Sequence, residues 1–476
     1  MSEIPVPSNP VTERLRPVLE ATRPIAERFQ AAGKRLFLVG GPVRDGIAGR
    51  PGGAEPGPEV DIDLTTNATP DEVEALVADF ADVFWTQGKR FGTIGLMRAG
   101  RRFEITTHRA EAYVPESRKP EVRFGDDIET DLSRRDFTVN AMALSLPDLV
   151  LQDPFNGISD LAARRLRTPL DPEVSFSDDP LRMLRAARFI SGYMLKPDVE
   201  LVKAVETMRS RLEIVSRERI RDELDKLLTL PDPTEGLWFL VNTGLASEFL
   251  PELPALALEQ DPIQRHKDVL AHTVAVIAKT RSDLTLRLAA LFHDVGKPLT
   301  RSIGPGGVHF HHHDVVGAKL ARRRMTELRY STELIDDVAQ LVTLHLRFHT
   351  YKMGWTDSAV RRYAHDAGRL LDRLNELTRC DCTTRNQARA RELALRMDEL
   401  ERRLAELRER EELDAIRPQL DGVAVMKHLG IPPGREVGTA LEYLLQIRLD
   451  EGVLDEDEIL CRLDTWWAGR SAGSRD

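Results

Sequence analysis

The apolar pattern of this chain changes abruptly near Ser177, and this change constrains the fold more than any other feature of the sequence. Before it, short strand-like runs alternate with helix-like runs. After it, strand signals almost vanish and apolar residues recur at helical spacing. The clearest helix-like runs are residues 181–189, 199–209, 218–228 and 235–242. The sequence therefore predicts an α+β chain, in which a small mixed β-sheet with packed helices precedes an all-α remainder.

Glycine, proline and capping residues mark the elements of the first part. Residues 11–32 predict an amphipathic helix that Gly33 ends, and a second helix is predicted to begin at Val43. The run Thr69-Pro70-Asp71-Glu72 predicts another helix start, because it has the form of a capping box with proline at the first helical position. The predicted strands are residues 34–39, the stretch around Asp61, and residues 83–86, 93–97 and 103–107.

Composition is that of an ordinary globular protein. The 476 residues are too many for one core and indicate roughly three or four domains. No apolar run approaches the ~20 residues of a membrane span, the N-terminus lacks a signal-peptide core, and three cysteines give no disulfide framework. We therefore expect a cytoplasmic protein. The net charge of −10 argues against a uniformly basic nucleic-acid coat but is compatible with local basic patches.

Asp61 and Asp63 are the first candidate functional residues. On a strand, residues i and i+2 point to the same face, so these two carboxylates lie side by side. Their repulsion favours a bound cation, and hard oxygen ligands suit Mg²⁺ held together with substrate phosphates. An isolated acidic pair is more often a solvated strand end, so the neighbouring motifs decide the interpretation. Glu104 is either a third carboxylate of this site or a surface partner of Arg109.

Glycines and arginines that suit a phosphate flank the acidic pair. Gly40 and Gly41 follow a strand and precede a helix, which allows close approach of the backbone to an anion. Arg44 follows them. The run DLSRRDFTVNA at residues 131–141 adds two arginines on a turn that enters a helix, where guanidinium groups can clamp a triphosphate.

Together, the glycine pair, the acidic pair and the run at 131–141 resemble the class II tRNA nucleotidyltransferase/poly(A) polymerase family of the DNA polymerase β superfamily. The resemblance covers about residues 30–250. It implies attack of an RNA 3′-hydroxyl on the α-phosphate of CTP or ATP, with Asp61 and Asp63 as catalytic residues that hold two Mg²⁺ ions. It also implies a flexible loop over residues 113–127. The implied nucleotide-binding residues of the head are Gly40, Gly41, Arg44, Asp131, Arg134, Arg135, Asp136 and Asn140.

A further run, DDPLRMLRAARF, resembles the base-reading motif of that family. Asp179 and Arg182 are three residues apart, so on a helix they are expected to share a face. A carboxylate accepts from an exocyclic amine and an arginine donates to a ring acceptor, which favours C and A over G and U. Asp178 stands where the family has Glu, so this position carries a shorter carboxylate side chain. Arg185 and Arg188 complete the implied nucleotide-binding set.

Most of the histidines lie in a later helical block. The stretch LFHDVGKP, with one histidine upstream and one aspartate downstream, resembles the H…HD…D pattern of the HD metal-dependent phosphohydrolase superfamily. Imidazole and carboxylate ligands suit a divalent transition metal such as Mn, Fe, Ni or Co better than Mg²⁺ alone. The predicted ligands are His272, His293, Asp294 and Asp381, with His313 and His345 at the positions of extra ligands in two-metal members. The resemblance implies metal binding and a phosphohydrolase activity.

The stretch 385–413 contains neither Gly nor Pro and is rich in Ala, Arg, Glu and Leu, which predicts one long exposed helix or a coiled-coil arm. We divide the chain into five predicted domains. They are an N-terminal helix (1–29), a nucleotidyltransferase head with a small mixed sheet (30–165), an all-α neck with the base-reading motif (166–255), a helical HD domain (256–385), and a long helix with a C-terminal RNA-binding tail (386–476).

The leading hypothesis is an enzyme that adds or repairs the 3′ CCA end of tRNA, with tRNA or another RNA 3′ end, CTP and ATP as its partners. A poly(A) polymerase shares every motif described above and is the first alternative. An HD phosphohydrolase whose head only binds nucleotide or RNA is the second. Neither a membrane nor DNA is an expected partner, and the sequence makes no prediction of the oligomeric state.

Overall fold

The computed structural model describes residues 3–5, 10–49, 61–108, 125–258, 268–304, 307–350, 355–382, 387–411 and 416–473. Most of the predicted flexible loop, residues 113–124, lies outside these ranges. The chain forms two compact units, Met1–Phe249 and Leu250–Asp476. The first contains the main sheet and the second is mostly helical, which confirms the predicted α+β class. Within the described ranges, no helix has both the length and the apolar character that a bilayer span requires.

An eight-stranded mixed sheet forms the centre of the first unit. Its strands are β1 (Glu3–Pro5), β2 (Leu36–Val39), β3 (Ile62–Thr66), β4 (Val83–Trp85), β5 (Thr93–Arg98), β6 (Arg101–Thr107), β7 (Ala143–Leu146) and β8 (Val150–Gln152). Their order is β1-β8-β7-β2-β3-β6-β5-β4. Among these described strands, only the β3–β6 pair is parallel. The sequence predicted β2 to β6 but not β1, β7 and β8, whose three or four residues are too short for a clear periodicity.

Helices pack against the sheet and then continue without it. In chain order they are α1 (Pro10–Ala31), α2 (Gly41–Ala48), α3 (Pro70–Val77), α4 (Ile128–Ser133), α5 (Gly157–Ala162), α6 (Pro172–Asp178), α7 (Leu181–Tyr193), α8 (Val199–Met208), α9 (Arg217–Leu228) and α10 (Thr234–Asn242). Two-residue strands β9 (Arg165–Leu166) and β10 (Lys196–Pro197) add a short parallel pair. The predicted helices of this unit are confirmed, although α2 begins two residues before Val43, because Pro42 suits a first helical turn.

The two faces of the sheet are buried by different helices. Ile62 and Leu64 point into a large apolar core shared with α1 and α3. Phe37 belongs to a smaller core on the opposite face, together with Leu132 of α4. Because successive residues of a strand alternate between faces, Asp63 lies on the α4 face of the sheet.

The turn after β3 is fixed by the capping box that the sequence predicted. The Glu72 amide donates to Thr69 Oγ1 at 3.4 Å, and the Glu72 carboxylate accepts from the Thr69 amide at 2.9 Å. These reciprocal bonds satisfy two donors at the start of α3. They hold the chain at the end of the strand that carries Asp63.

The second unit consists mainly of helices. Its elements are α11 (Val269–Lys279), α12 (Leu284–Phe292), α13 (Lys297–Thr300), β11 (Arg301–Gly304), β12 (Gly307–Phe310), α14 (His313–Glu327), α15 (Thr332–Leu344), α16 (Arg347–Thr350), α17 (Asp357–Ala367), α18 (Leu371–Asp381), α19 (Gln387–Glu411), α20 (Gly422–Leu429), α21 (Arg435–Glu451) and α22 (Glu456–Gly473). The β11–β12 hairpin is antiparallel and was not predicted. Its four-residue strands have glycines at their ends and too little apolar alternation to be recognised.

The helix α19 lies within the predicted stretch 385–413, but it is neither fully exposed nor a free arm. Met397, Leu400 and Leu404 are buried on one face, while Leu395 is 68% exposed on the other. The buried face packs against α17 and α18. The charged composition hid this one-sided apolar stripe, so the prediction of an exposed helix or coiled-coil arm was wrong.

Candidate active site and metal centre

Three carboxylates lie on the α4 face of the sheet. Asp63 on β3 pairs in register with Glu104 on β6, so the two side chains project side by side. Asp61 lies immediately before β3, two residues from Asp63, and reaches the same face. The structure therefore brings Glu104 to the acidic pair that the sequence identified.

Arg102 is the counter-ion of this acidic group, and the sequence analysis did not identify it. Its guanidinium lies 3.1 Å from Asp61 Oδ1 and 3.1 Å from Glu104 Oε1. Arg102 precedes Glu104 by two residues on β6, so both project from one face. Its side chain is 43% exposed, and ion pairs as open as this contribute little to stability. Separation of Arg102 from the two carboxylates therefore requires little free energy.

The surroundings of Asp63 raise the pKa of its carboxyl group to about 6. Partial burial of its carboxyl group is the largest cause, although part of the side chain reaches solvent. Glu104 and Asp61 add repulsion, whereas Arg135 and Arg185 act in the opposite direction. A carboxyl group in this position binds a proton or shares a cation with its neighbours. The three oxygen donors thus fit a hard divalent cation.

The glycine turn after β2 lies directly beside Asp63. Gly40 has a φ of 74°, which favours glycine. A Cβ at this position would lie 3.5 Å from Asp63 Oδ2 and 3.6 Å from Arg135 Nη1. Arg135 follows α4 and is 3.7 Å from Asp131 Oδ2. Backbone, guanidinium and carboxylate therefore converge at one place, as binding of a phosphate beside a metal ion requires.

Arg44 is buried and links three elements of the first unit. Its Nη1 donates to Asn140 Oδ1 at 2.6 Å, and its Nε and Nη2 donate to Asp45 at 2.9 and 3.0 Å. Tyr193 of α7 accepts from the same guanidinium and has its ring centroid 4.2 Å from it. These contacts join α2 to α7 through Tyr193 and to the segment before β7 through Asn140, and no local sequence pattern predicts them. Contact of Arg44 with nucleotide stays a prediction.

Asp136 extends this network to α7 and α9. Its Oδ1 accepts from Asn140 Nδ2 and its Oδ2 from Arg185 Nε, both at 2.8 Å. Burial acts to raise its pKa, but Arg185 and the hydrogen bond from Asn140 outweigh burial and lower the pKa to about 2. Arg185 and Arg188 also lie 3.9 and 2.7 Å from Glu223, a buried carboxylate of α9. Asp136 therefore joins the arginine-bearing turn to the following helices.

The predicted shared helix face of Asp179 and Arg182 is wrong. Asp179 has extended backbone between α6 and α7, where its Oδ1 accepts from the first amide of α7 and its Oδ2 accepts from Arg219 at 2.8 Å. Arg182, in the first turn of α7, donates to Ser175 Oγ at 2.8 Å and to the Arg134 carbonyl. Aspartate favours such a capping position because its oxygen satisfies a helix-start amide. Base reading by these two residues stays a prediction.

In the second unit, all six predicted metal ligands lie close together. They come from α11, the residues just after α12, the start of α14, the residue just after α15, and the end of α18. In two sets of three residues, the ligand atoms all lie within 4.8 Å of one another. These sets are His272, His293 and Asp294, and Asp294, His313 and His345. Asp381 adjoins the first set, with its Oδ1 2.9 Å from His272 Nε2.

The hydrogen bonds of three histidines set the imidazole form that metal binding requires. Nδ1 of His293, His313 and His345 lies 2.7, 2.8 and 2.6 Å from a backbone carbonyl oxygen. Because a carbonyl only accepts, Nδ1 carries the proton in the neutral imidazole, and Nε2 is the nitrogen left for a metal ion. Among the described residues, buried Nε2 of His313 and of His345 has no hydrogen-bond partner. The donor set therefore fits a divalent metal ion.

The charges around His293 are consistent with a cation at this centre. Burial lowers its pKa, but the carboxylates of Asp294 and Asp381 raise the pKa to about 10. A bound metal ion would take the place of that proton among the carboxylates. Lys297, which the sequence analysis did not select, donates to Asp294 Oδ2 at 2.6 Å. Its position three residues after Asp294 on a helical turn is the signal that could have found it.

Three parts of the chain match known protein families. Residues 36–167 match the poly A polymerase head domain, and residues 195–256 match a family described as the probable RNA and SrmB-binding site of polymerase A. Residues 269–407 match the HD domain. Both units thus carry the domain types that their motifs indicated.

Curated relatives include tRNA-processing enzymes. The A-adding tRNA nucleotidyltransferase of Deinococcus radiodurans is 38% identical over 337 residues, which are 68% of this chain and 75% of that protein. The CCA-adding enzyme of Geobacillus thermodenitrificans is 38% identical over 222 residues, which are 46% of this chain and 52% of that enzyme. The CCA-adding enzyme of Bacillus subtilis is 40% identical over 220 residues, with the same two coverages. The chain thus spans about half the length of these two CCA-adding enzymes.

Solved structures of CCA-adding enzymes are similar to this chain in fold. The CCA-adding enzyme of Bacillus stearothermophilus in complex with CTP has a TM-score of 0.67 at 22% identity, covering 98% of this chain and all of that one. The Thermotoga maritima CCA-adding enzyme complexed with tRNA has a TM-score of 0.59 at 20% identity, with the same coverage. At these identities the likeness concerns the fold alone.

Replacing Asp136 by asparagine should lower the free energy of unfolding by about 3–5 kcal/mol at pH 7, because Arg185 loses its principal buried partner. In the unchanged protein, the lowered pKa of Asp136 contributes about 2–3 kcal/mol. This contribution is present above about pH 4, the range of an unfolded carboxyl group, and is lost as the pH falls toward 2. Denaturant titrations between pH 2 and pH 7 measure both effects.

Asp79→Asn is the matched control, because Asp79 forms an exposed ion pair with Arg28. This variant should leave the free energy of unfolding almost unchanged and keep the acid-dependent loss. Equal destabilisation by the two substitutions, or an Asp136→Asn variant as stable as the parent, would contradict the role given to Asp136.

Proposed function

The chain belongs to the tRNA nucleotidyltransferase/poly(A) polymerase family, and from this premise we propose that it adds nucleotides from CTP and ATP to the 3′ end of tRNA without a template. The observation that carries the proposal is the convergence of Asp63 and Arg135 at the Gly40 turn, with Glu104 paired to Asp63 on the next strand. This arrangement supports metal binding and triphosphate binding at one place. Full CCA addition is the first candidate, supported by the CCA-adding enzymes among its relatives.

In the proposed reaction, the RNA 3′-oxygen attacks the α-phosphorus of the nucleotide and the bond to the β-phosphate breaks, which releases pyrophosphate. Asp61 and Asp63, with Glu104, would hold two Mg²⁺ ions. When bound, such ions activate the hydroxyl group and neutralise charge on the leaving pyrophosphate. Gly40 and Arg135 orient the triphosphate so that its α-phosphate faces the carboxylates. Most of the rate enhancement then comes from positioning and charge neutralisation.

Selection of the base is assigned to the region where α6 meets α7. Asp179 lies there in extended backbone and Arg182 in the first turn of α7, and each offers the polar group expected for reading C and A. Both are held by other side chains, Asp179 by Arg219 and Arg182 by Ser175. We infer that these contacts set the orientation of the base readers before nucleotide arrives.

Addition of the terminal A alone is the second candidate. It is supported by the A-adding relative, whose alignment covers 75% of its length, compared with 52% for the two CCA-adding relatives described above. The motifs of the head are common to both activities, so they do not separate the candidates. The closing part of the chain is proposed to hold the RNA.

Stepwise substrates separate these candidates. The protein is given tRNA that ends before CCA, after the first C, or after CC, with CTP or ATP supplied singly. CCA addition predicts two C residues on the first substrate and one A on the last. A-only addition predicts no incorporation of CTP and one A on the last substrate. Unlimited A on unrelated RNA would support a poly(A) polymerase instead.

Asp63→Asn should reduce incorporation by at least ~10³-fold, because it removes a metal-binding charge without changing shape, and several kcal/mol of transition-state stabilisation are lost. Single-turnover incorporation on the tRNA substrates measures this effect. Asp71→Asn is the control, since Asp71 is an 85% exposed carboxylate of the same unit. The assignment fails if the Asp63→Asn variant keeps parental incorporation.

We call the cluster of His272, His293, Asp294, His313, His345 and Asp381 the HD centre. For this centre we propose a bound divalent transition metal, Mn, Fe, Ni or Co, and a phosphohydrolase activity. The two ligand sets that share Asp294 support two metal positions. After loading with Mn²⁺ and dialysis, His345→Ala should retain about half the metal of the parent, because it removes one ligand of a single set. Elemental analysis measures the content. His309→Ala, on β12 and outside both sets, is the control, and equal content in all three proteins would refute the two-position proposal.

A further inference from the structure

Asp63 lies at one end of a row of residues that crosses four strands. The register pairs Asp63 with Glu104, Glu104 with Gly95, and Gly95 with Trp85. Directly paired residues project from the same face of a sheet. Trp85 therefore shares the face of the carboxylates, two strands beyond Glu104.

Gly95 leaves the gap in this row that the indole fills. A Cβ at position 95 would lie only 2.1 Å from Trp85 Nε1. The indole thus lies across the backbone of β5, in the direction of β6, where a larger residue would exclude it. This placement brings an aromatic ring toward the catalytic carboxylates.

Arg102 connects the indole to those carboxylates. Its guanidinium carbon is 4.8 Å from the centre of the Trp85 ring, within the range of a cation–π contact. The same guanidinium pairs with Asp61 and Glu104. An aromatic surface and a half-exposed cation therefore adjoin the proposed reaction centre.

The strand order puts this pair on one side of β3 and the proposed triphosphate site on the other. β2, which leads into Gly40, is one neighbour of β3, and β6, β5 and β4 follow on the opposite side. Phosphoryl transfer places the attacking and leaving oxygens in line, on opposite sides of the phosphorus. If pyrophosphate leaves toward β2, the RNA 3′-hydroxyl enters over β6, β5 and β4.

We propose that Trp85, together with Arg102, is the stacking platform for the base of the RNA 3′-terminal nucleotide. This inference rests on the proposed function and adds to it a residue that binds the growing RNA end. Aromatic stacking tolerates any base because every base has a π-face. Such tolerance suits a site whose terminal nucleotide changes after each addition.

Trp85→Ala should raise the KM for tRNA by about 10-fold and leave the KM for CTP and ATP unchanged, because base stacking on one aromatic residue accounts for roughly 5- to 150-fold in binding. Trp85→Phe should recover most of the loss, since phenylalanine retains an aromatic face. Steady-state incorporation by the full chain, on tRNA that ends before CCA or after CC, provides these constants.

Gly95→Ala gives a second variant that keeps the tryptophan. Its methyl group must displace the indole, so it should raise the KM for tRNA in the same way as Trp85→Ala. Val83→Ala is the control, because Val83 lies on β4 two residues from Trp85 and is 58% exposed. It should leave both constants unchanged. Thermal melting verifies that each variant is folded.

An RNA whose 3′-terminal nucleotide is abasic tests stacking without altering the protein. For the parent protein, the KM for this RNA should be about 10-fold higher than the KM for normal RNA, and Trp85→Ala should not raise it further. The inference is overturned if Trp85→Ala leaves the KM for tRNA unchanged or raises only the KM for the nucleotide. It is also overturned if Trp85→Ala raises the KM for the abasic RNA as much as the KM for the normal RNA. Failure of the parent protein to extend any RNA would refute the proposed function itself.

Discussion

Repulsion between carboxylates on adjacent parallel strands is the constraint on which the first unit depends. Asp63 and Glu104 are register partners, so neither can move away without breaking the sheet. The chain compensates with cations on both sides, Arg102 and Arg135, and with a glycine turn that admits a ligand. Burial of the carboxyl group, with added repulsion from Glu104 and Asp61, keeps the pKa of Asp63 raised despite Arg135. The site is thus prepared for a further cation and for a polyphosphate that brings negative charge back to the arginines.

The carboxylate site of the head and the HD centre stabilise their closely spaced charged groups in different ways. In the head, carboxylate oxygens face the partly exposed Arg102 and Arg135, an arrangement that suits metal ions bound together with substrate phosphates. In the HD centre, backbone carbonyls fix the imidazoles of His293, His313 and His345 and orient Nε2 inward. Such preorganised nitrogen donors suit a resident transition metal. The head therefore suits metal ions that enter and leave with the substrate, whereas the HD centre suits a metal ion that stays bound.

Short sequence patterns predicted many of the elements and candidate site residues. The acidic pair follows from strand alternation, the start of α3 from its capping box, and the HD ligands from their motif. Arg102 and Trp85 were not predictable, because their positions depend on which strands become neighbours. The contact of Arg44 with Tyr193 joins residues 149 positions apart, and no local pattern encodes it. Asp179 was misplaced because a helix boundary, rather than the helix itself, determines its geometry.

We propose that the carboxylates of Asp61, Asp63 and Glu104 hold a divalent cation beside the triphosphate. A crystal structure of the protein with Mn²⁺ and a non-hydrolysable CTP analogue, with anomalous scattering used to locate the metal, tests this most directly. We expect Mn²⁺ among the carboxylates of Asp61, Asp63 and Glu104, with the triphosphate beside Arg135 and with Arg102 released from Asp61. A structure in which nucleotide is bound but Arg102 still pairs with Asp61, and no Mn²⁺ lies among these carboxylates, would contradict it.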